Sequence, residues 1–215
     1  MKSLSAAELK SMLMHTCQVM VDSQEIMCDA DRDIGDGDHG IGMARGFGAA
    51  LGELQNQEFD DVYKIFFTVG RTMIKEMGGA SGIIFGTLFY AGSKNIEPSP
   101  VLTVENFCTV FAKALTEIKA RGQAQVGDKT VVDALQPMVE AMQQNIEKDL
   151  SFEEMTQIAL EAAIQGKDNS KQYIARFGRA KTLGDRAVGY PDPGAVSLTL
   201  IMQSMLDWLR TQPPT

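Results

Sequence analysis

The stretch Asp29–Gly42, D-A-D-R-D-I-G-D-G-D-H-G-I-G, decides how this chain is read. It sets Asp29, Asp31, Asp33, Asp36 and Asp38 within ten positions, with Gly35 and Gly37 among the last of them. Carboxylates this dense repel one another unless something positive stands between them. Hard divalent cations such as Mg²⁺ take oxygen ligands, and glycine lets the backbone turn tightly enough for neighbouring side chains to face one ion. A Mg²⁺ site is therefore the reading adopted. An acidic run can also be a solvated loop, but apolar, helix-patterned sequence lies on both sides of this one, which solubility alone does not explain. An EF-hand does not fit. A loop starting at Asp29 or Asp31 puts Ile34 or Asp36 where the turn glycine belongs, and Gly40 or Gly42 where the bidentate Glu belongs.

Working outward, the periodicity is helical. Before the acidic stretch, Ser5 and Glu8 form a capping box, and Leu9, Leu13, Cys17 and Met20 recur at spacings near four, predicting a helix from about Ser5 to Cys28. After it, H-G-I-G-M-A-R-G-F-G-A-A-L predicts a second helix whose small residues allow close neighbours. A third runs from near Asp60 to Met77, with Val62, Ile65, Phe66, Val69 and Met73 on one face, and breaks at G-G-A-S-G. The fourth, I-I-F-G-T-L-F-Y-A-G, is apolar nearly all round, as a buried helix is. Thr103 caps a fifth that reaches Gly122; a sixth carries Val131, Val132, Leu135, Val139 and Met142; Ser151 and Glu154 box a long seventh. The last begins at about Pro193, a residue tolerated in a first turn. Its run V-S-L-T-L-I could be a strand, but its length and Pro-Gly start favour helix. Eight helical segments and no convincing strand predict an all-α protein.

The 215 residues suffice for one domain with a large core, and no Pro/Gly/Ser linker divides them. Residues 1–215 are read as a single domain. The seven prolines are read as helix boundaries or tail, with Pro98 and Pro100 in one connection and Pro213 and Pro214 at the end. A net charge of −8 argues against a nucleic-acid partner, because such binding rests on Lys and Arg at phosphates. Cys17, Cys28 and Cys108 are isolated in helical patterns and read as core thiols of a reducing compartment. The opening M-K-S-L-S-A-A-E-L-K has charge among its apolar residues, so no signal-peptide core is expected, and no run of about 18 apolar residues could span a membrane. A cytoplasmic protein is the expectation. Thirteen methionines read as flexible core filling.

Four glycine-bearing junctions stand out: Gly35–Gly42, Gly78–Gly82, Gly122–Thr130 and Arg179–Gly194. In an up-down bundle, loops preceding alternate helices share one end, and these four precede helices two, four, six and eight. They predict one composite rim, lined by helix N-termini that favour anions. Gly122–Thr130 nearly matches a P-loop, but Asp128 intervenes before Lys129 and a helix, not a strand, precedes it, so that reading is rejected. Lys129 could equally be a surface side chain. His39 could act as a base or phosphate donor, or hydrogen-bond the ligand or a carboxylate. Arg179, Lys181 and Arg186 are either an exposed helix end or phosphate contacts.

These motifs resemble the nucleotide-binding L subunits of dihydroxyacetone kinases over nearly the whole chain. The resemblance rests on D-R-D-I-G-D-G-D-H-G from Asp31, G-G-A-S-G from Gly78, R-G-x-A-x-x-G-D-K-T from Arg121, G-R-A-x-x-L-G-x-R from Gly178 and D-P-G-A from Asp192. It implies a closed barrel of eight antiparallel helices with ADP or ATP and two Mg²⁺ ions at one rim. Asp31, Asp36 and Asp38 would then hold the metals. His39, Gly40, Ile41, Gly42, Ala80 and Ser81 would cradle phosphates, Gly122 and Val131 would flank the adenine, and Arg179, Asp192, Pro193 and Gly194 would complete the pocket. Arg179 would be catalytic, and Asp29 and Asp33 would be solvated. The resemblance further implies a separate K subunit that binds the keto-sugar, with this chain inactive alone. A phosphohistidine protein of the phosphotransferase system, of the M type, would recharge bound ADP; exchanging ATP is the other branch of the family. A homodimer is left open. A metal-dependent phosphohydrolase and a nucleotide sensor are the competing classes.

Overall fold

The computed structural model describes residues 1–213, so Pro214 lies outside the described residues. Among these residues nine α-helices carry the fold: α1 (Ala6–Asp22), α2 (Gln24–Arg32), α3 (His39–Asn56), α4 (Val62–Met77), α5 (Gly79–Tyr90), α6 (Val104–Gly122), α7 (Val132–Asn145), α8 (Phe152–Ser170) and α9 (Pro193–Thr211). Short 3₁₀ turns follow at Ala91–Ser93 and Arg179–Ala187. The all-α reading holds, and V-S-L-T-L-I is helical within α9. Each helix from α3 onward packs on the next in sequence, and α1 packs on both α3 and α9. These pairings define a bundle; they do not define a closed barrel. Its apolar interior is one continuous cluster that includes Met20, Phe47, Phe66, Phe107, Leu135, Phe152 and Trp208. No helix among the described residues is long and apolar enough to cross a membrane.

Three details depart from the sequence reading. The expected first helix breaks at Ser23, whose φ/ψ of −88°/12° leaves the helical basin and starts α2. Beyond the break α2 lies against Gly40, where an added Cβ would stand 2.0 Å from the Gln24 carbonyl oxygen. Two strands also form, β1 (Ser3–Ser5) and β2 (Val101–Thr103), antiparallel with Leu4 opposite Leu102. Each ends in a residue that caps the next helix, Ser5 for α1 and Thr103 for α6. An N-cap needs extended φ/ψ, so two caps side by side make a short ladder as a by-product. Finally, Pro137 lies inside α7 and not at a boundary. A proline there cannot donate to the carbonyl of Asp133, four residues back. That carbonyl faces Gly166 of α8, where a Cβ would sit 2.1 Å from it, so α7 and α8 meet backbone to backbone.

The pair α4 and α5 meets in the same way, and it holds the Gly78–Gly79 junction. A Cβ at Gly70 would lie 2.4 Å from the Gly86 carbonyl oxygen, and one at Gly86 2.3 Å from Ile74 Cγ1. Arg45 of α3 closes the junction from the other side, donating to the carbonyls of Glu76 (2.8 Å) and Met77 (2.6 Å) at the end of α4. Alanine is a better helix former than glycine by about 1 kcal/mol, but overpacking a tight contact costs about 1–3 kcal/mol. Gly70→Ala should therefore lower the urea midpoint of unfolding, whereas Gly52→Ala, with open space around it, should not.

Candidate functional site

The carboxylates of Asp31, Asp36 and Asp38 each bring one oxygen within 4.8 Å of the others. The chain between α2 and α3 is shaped to do this. Buried Ile34 anchors the turn, and the Ile34 and Gly35 N–H groups donate to the Asp31 carbonyl. Gly37, at a left-handed φ of +72°, turns its N–H to Asp31 Oδ2 at 2.9 Å. A Cβ at Gly35 would stand 2.0 Å from Asp31 Oδ1, so a larger residue there would push the Asp31 carboxylate aside. Asp38 stands at the N-cap of α3 yet makes no side-chain cap, unlike Asp61 before α4 and Asp192 before α9. Its carboxylate is left to face the cluster. Asp29 pairs with Arg32 on the surface of α2, and Asp33 is exposed.

Arg179 reaches this cluster from far along the chain, with Nη1 in an ion pair with Asp36 and 3.8 Å from Asp38 Oδ2. It is the only member of the basic trio so engaged; Lys181 and Arg186 are exposed. His39 opens α3, with Nε2 2.8 Å from Ser197 Oγ of α9 and its ring 6.0 Å from Phe85 of α5. Burial holds its pKa below the ordinary histidine value, against the opposing pull of Asp31. Within α3 the N–H groups of Ile41 and Gly42 return to the Asp38 carbonyl, so the first-turn donors left over are those of His39 and Gly40. Ile41 itself is exposed. On α5, Ala80 is exposed and Ser81 half-buried in the first turn.

The second half of the rim is built around α7 and α9. Asp192 caps α9 by accepting from the Ala195 N–H at 2.8 Å, and Pro193 takes the first helical position. Gly194 lets α9 close on Val131, whose Cβ would be 3.2 Å from a Cβ at Gly194. Gly122 ends α6 with open space beside it, next in sequence to a cleft of about 450 Å³ with Val126 and Phe177 in its walls. Asp133 accepts two backbone N–H groups, from Gly127 and Thr130, each at 2.6 Å. Lys129 is not a surface residue: it is 2% exposed, with Nζ donating to the carbonyls of Ser170 (2.8 Å) and Tyr190 (2.6 Å). Direct contacts thus join α3 to α5 and α9, α7 to α9, and the 179 segment to the acidic turn. Gly35 does what the sequence reading asked of a turn glycine, whereas Ser197 went unread. A small polar residue in the apolar face of α9 was the available sign of it.

The DAK2 domain model matches residues 33–207. The ADP-binding subunit DhaL of the PEP-dependent dihydroxyacetone kinase of Escherichia coli is 35% identical over 207 residues, spanning 94% of this chain and 97% of that protein. The ADP-binding subunit DhaL of PEP-dependent dihydroxyacetone kinase 1 of Listeria innocua is 37% identical over 185 residues, 86% of this chain and 87% of that protein. The solved dihydroxyacetone kinase from C. freundii in complex with AMP-PNP and Mg²⁺ has a TM-score of 0.68 at 23% identity, covering 96% of this chain but 34% of that one. That likeness concerns the fold. The chain belongs to the DAK2 domain family of helical kinase domains. Within it, the relatives of matching length are ADP-binding DhaL subunits.

Burial pushes the Asp192 carboxyl up to about 7, only partly offset by the Ala195 N–H, with Asp133 raising it further and Lys129 lowering it. A carboxyl whose folded value exceeds its unfolded one near 3.9 favours folding at low pH, and that contribution fades as pH rises through about 7. Asp192→Asn keeps a good N-cap without the titration. Its melting temperature should therefore fall less than the parent's between pH 5 and pH 7.5 in differential scanning calorimetry.

Proposed function

We propose that this chain is the nucleotide-carrying subunit of a dihydroxyacetone-kinase-type phosphotransferase, working as one domain over residues 1–215. It holds ADP with Mg²⁺ and passes a phosphoryl group to dihydroxyacetone, or a related small keto-sugar, bound by a separate K subunit. The observation that carries this reading is the trio of carboxylates within 4.8 Å of one another, with the Arg179 guanidinium upon two of them at the start of a helix. The donor set fits the ion: three carboxylate oxygens and no nitrogen or sulfur suit Mg²⁺, which keeps its other positions for water and phosphate. Two ions among Asp31, Asp36 and Asp38 is the count proposed. When bound, Mg²⁺ would neutralise phosphate charge and orient the transferring group.

The remaining work falls to the chain's own groups. The orphan N–H donors of His39 and Gly40 on α3, and those around Ala80 and Ser81 on α5, bind phosphate oxygens with the favourable end of each helix dipole. His39, neutral and tied to Ser197, fixes the first turn of α3 against α9 and leaves the carboxylates as the acidic groups at the site. Gly122 and Val131 border the base, for which Val126 and Phe177 supply apolar wall, and Asp192, Pro193 and Gly194 close the pocket at α9. Arg179 lies where it can follow the negative charge that spreads over the equatorial oxygens during transfer.

The nucleotide is read as a resident cofactor recharged by a phosphohistidine protein of the phosphotransferase system. Support comes from the PEP-dependent names of the relatives of matching length. The test loads the protein with labelled ADP, adds excess unlabelled ATP, and follows repeated transfer from a phosphohistidine donor to dihydroxyacetone with K present. Label should persist through many turnovers; loss within one turnover means an ordinary ATP-exchanging kinase subunit.

Two substitutions separate binding from chemistry. Asp36→Asn should abolish nucleotide retention in Mg²⁺ while circular dichroism remains that of a folded helical protein. Arg179→Ala should lower turnover of the assembled kinase by about 10²–10³, with a smaller loss of ADP affinity by calorimetry. Equal losses in both quantities would make Arg179 a plain binding residue.

A further inference from the structure

Within the P-loop-like segment, Asp128 and Lys129 have no part in the proposed nucleotide site, yet their geometry is demanding. Lys129 adopts a left-handed φ of +58°, uncommon for a residue with a side chain. Its ammonium group is buried and bonded to backbone carbonyls alone, which is costly for a charge. The segment is itself locked, because Asp133 accepts from the N–H groups on either side of the Asp128–Lys129 pair, at Gly127 and Thr130. Two costly features held this firmly point to a task.

We propose that Asp128 and Lys129 form a clasp at the base of the 176–190 segment and so set Arg179 against the acidic cluster, making Lys129 a positioning residue. At one end of the segment, the Arg176 N–H donates to the Asp128 carbonyl at 3.1 Å, and Arg176 Nε lies 3.4 Å from the Asp128 carboxylate. At the other, Lys129 Nζ holds the Tyr190 carbonyl, and the adjacent Gly189 N–H donates to the Lys171 carbonyl at 2.7 Å. By also binding the Ser170 carbonyl, Lys129 ties that end to the last turn of α8. Between the two ends the segment has little to hold it. Ala187 is its one buried residue from 177 to 190, and Gly178, Gly184 and Gly189 all have positive φ. Its path is consequently fixed at its ends and at the Arg179 contact with Asp36 and Asp38.

The catalytic part of this inference rests on the role proposed for Arg179; the clasp itself does not. The first arm therefore uses the free full-length protein. Lys129→Met keeps an unbranched chain and removes the donors, and it should speed amide hydrogen exchange across 177–189 by about tenfold or more, with α1, α4 and α6 unchanged. Lys129→Arg, which keeps a cation and its donors, should recover part of the protection. It carries the same comparison if the Met variant does not fold. Exposed Arg176→Ala should give a smaller increase near residue 177. The second arm measures turnover with the sugar-binding partner and a phosphoryl donor. Lys129→Met should lose about tenfold or more in kcat, and the Lys129→Met/Arg179→Ala double variant should be no slower than Arg179→Ala alone. Unchanged exchange across 177–189 overturns the clasp, and fully additive losses overturn its action through Arg179. Faster exchange in a protein that transfers no phosphoryl group in any form supports the clasp and refutes the kinase reading instead.

Discussion

Three carboxylates gathered within 4.8 Å of one another are the constraint on which the rest of this structure depends. Like charges at about 4 Å oppose each other by about 1 kcal/mol even in bulk water, so such a group forms only where the chain forces it and cations answer it. Here the chain does both. Gly35 and Gly37 bend the backbone under Asp31, Asp38 gives up its cap, and Arg179 arrives from the far end of the sequence. In a protein of net charge −8 that guanidinium is not a general surface neutraliser. It is directed to the place where negative charge is densest.

The bundle supplies the second requirement, that helix starts converge on that place. Contacts His39–Ser197, His39–Phe85 and Val131–Gly194 bring the first turns of α3, α7 and α9 and the body of α5 together. The glycines at Gly40, Gly70 and Gly166 matter for this reason more than for flexibility. Each permits a backbone-to-backbone contact that a methyl group would block, and so fixes how closely two helices approach. Packing on one face and anion chemistry at one end are consequences of the same close approach.

Much of this was legible in the sequence. Apolar spacing gave the helices because an amphipathic face has a period that packing must respect. Ser5, Thr103, Ser151 and Pro193 marked four helix starts that the structure reproduces. The density of five aspartates in a short glycine-bearing turn signalled a cation site, and the family resemblance singled out Asp31, Asp36 and Asp38, the three that the structure brings together. What stayed hidden depends on contacts distant in the chain. Beyond the break at Ser23 α2 lies against Gly40; the strands need Leu4 and Leu102, 98 positions apart, to meet. Pro137 looked like a boundary because a proline costs a helix one hydrogen bond, and nothing local shows that α7 packs on through it against Gly166 of α8. Lys129 looked like any lysine until the carbonyls of Ser170 and Tyr190 closed over it.

On this reading the acidic turn binds nucleotide through a divalent cation. It is tested most directly by titrating ADP into the protein in a calorimeter, once with Mg²⁺ and once with EDTA, after bound nucleotide has been stripped away. Binding should be tight in Mg²⁺ and weaker by about a hundredfold in EDTA, because the carboxylates then repel the phosphates they would otherwise share a cation with. Equal affinity in the two buffers would contradict it.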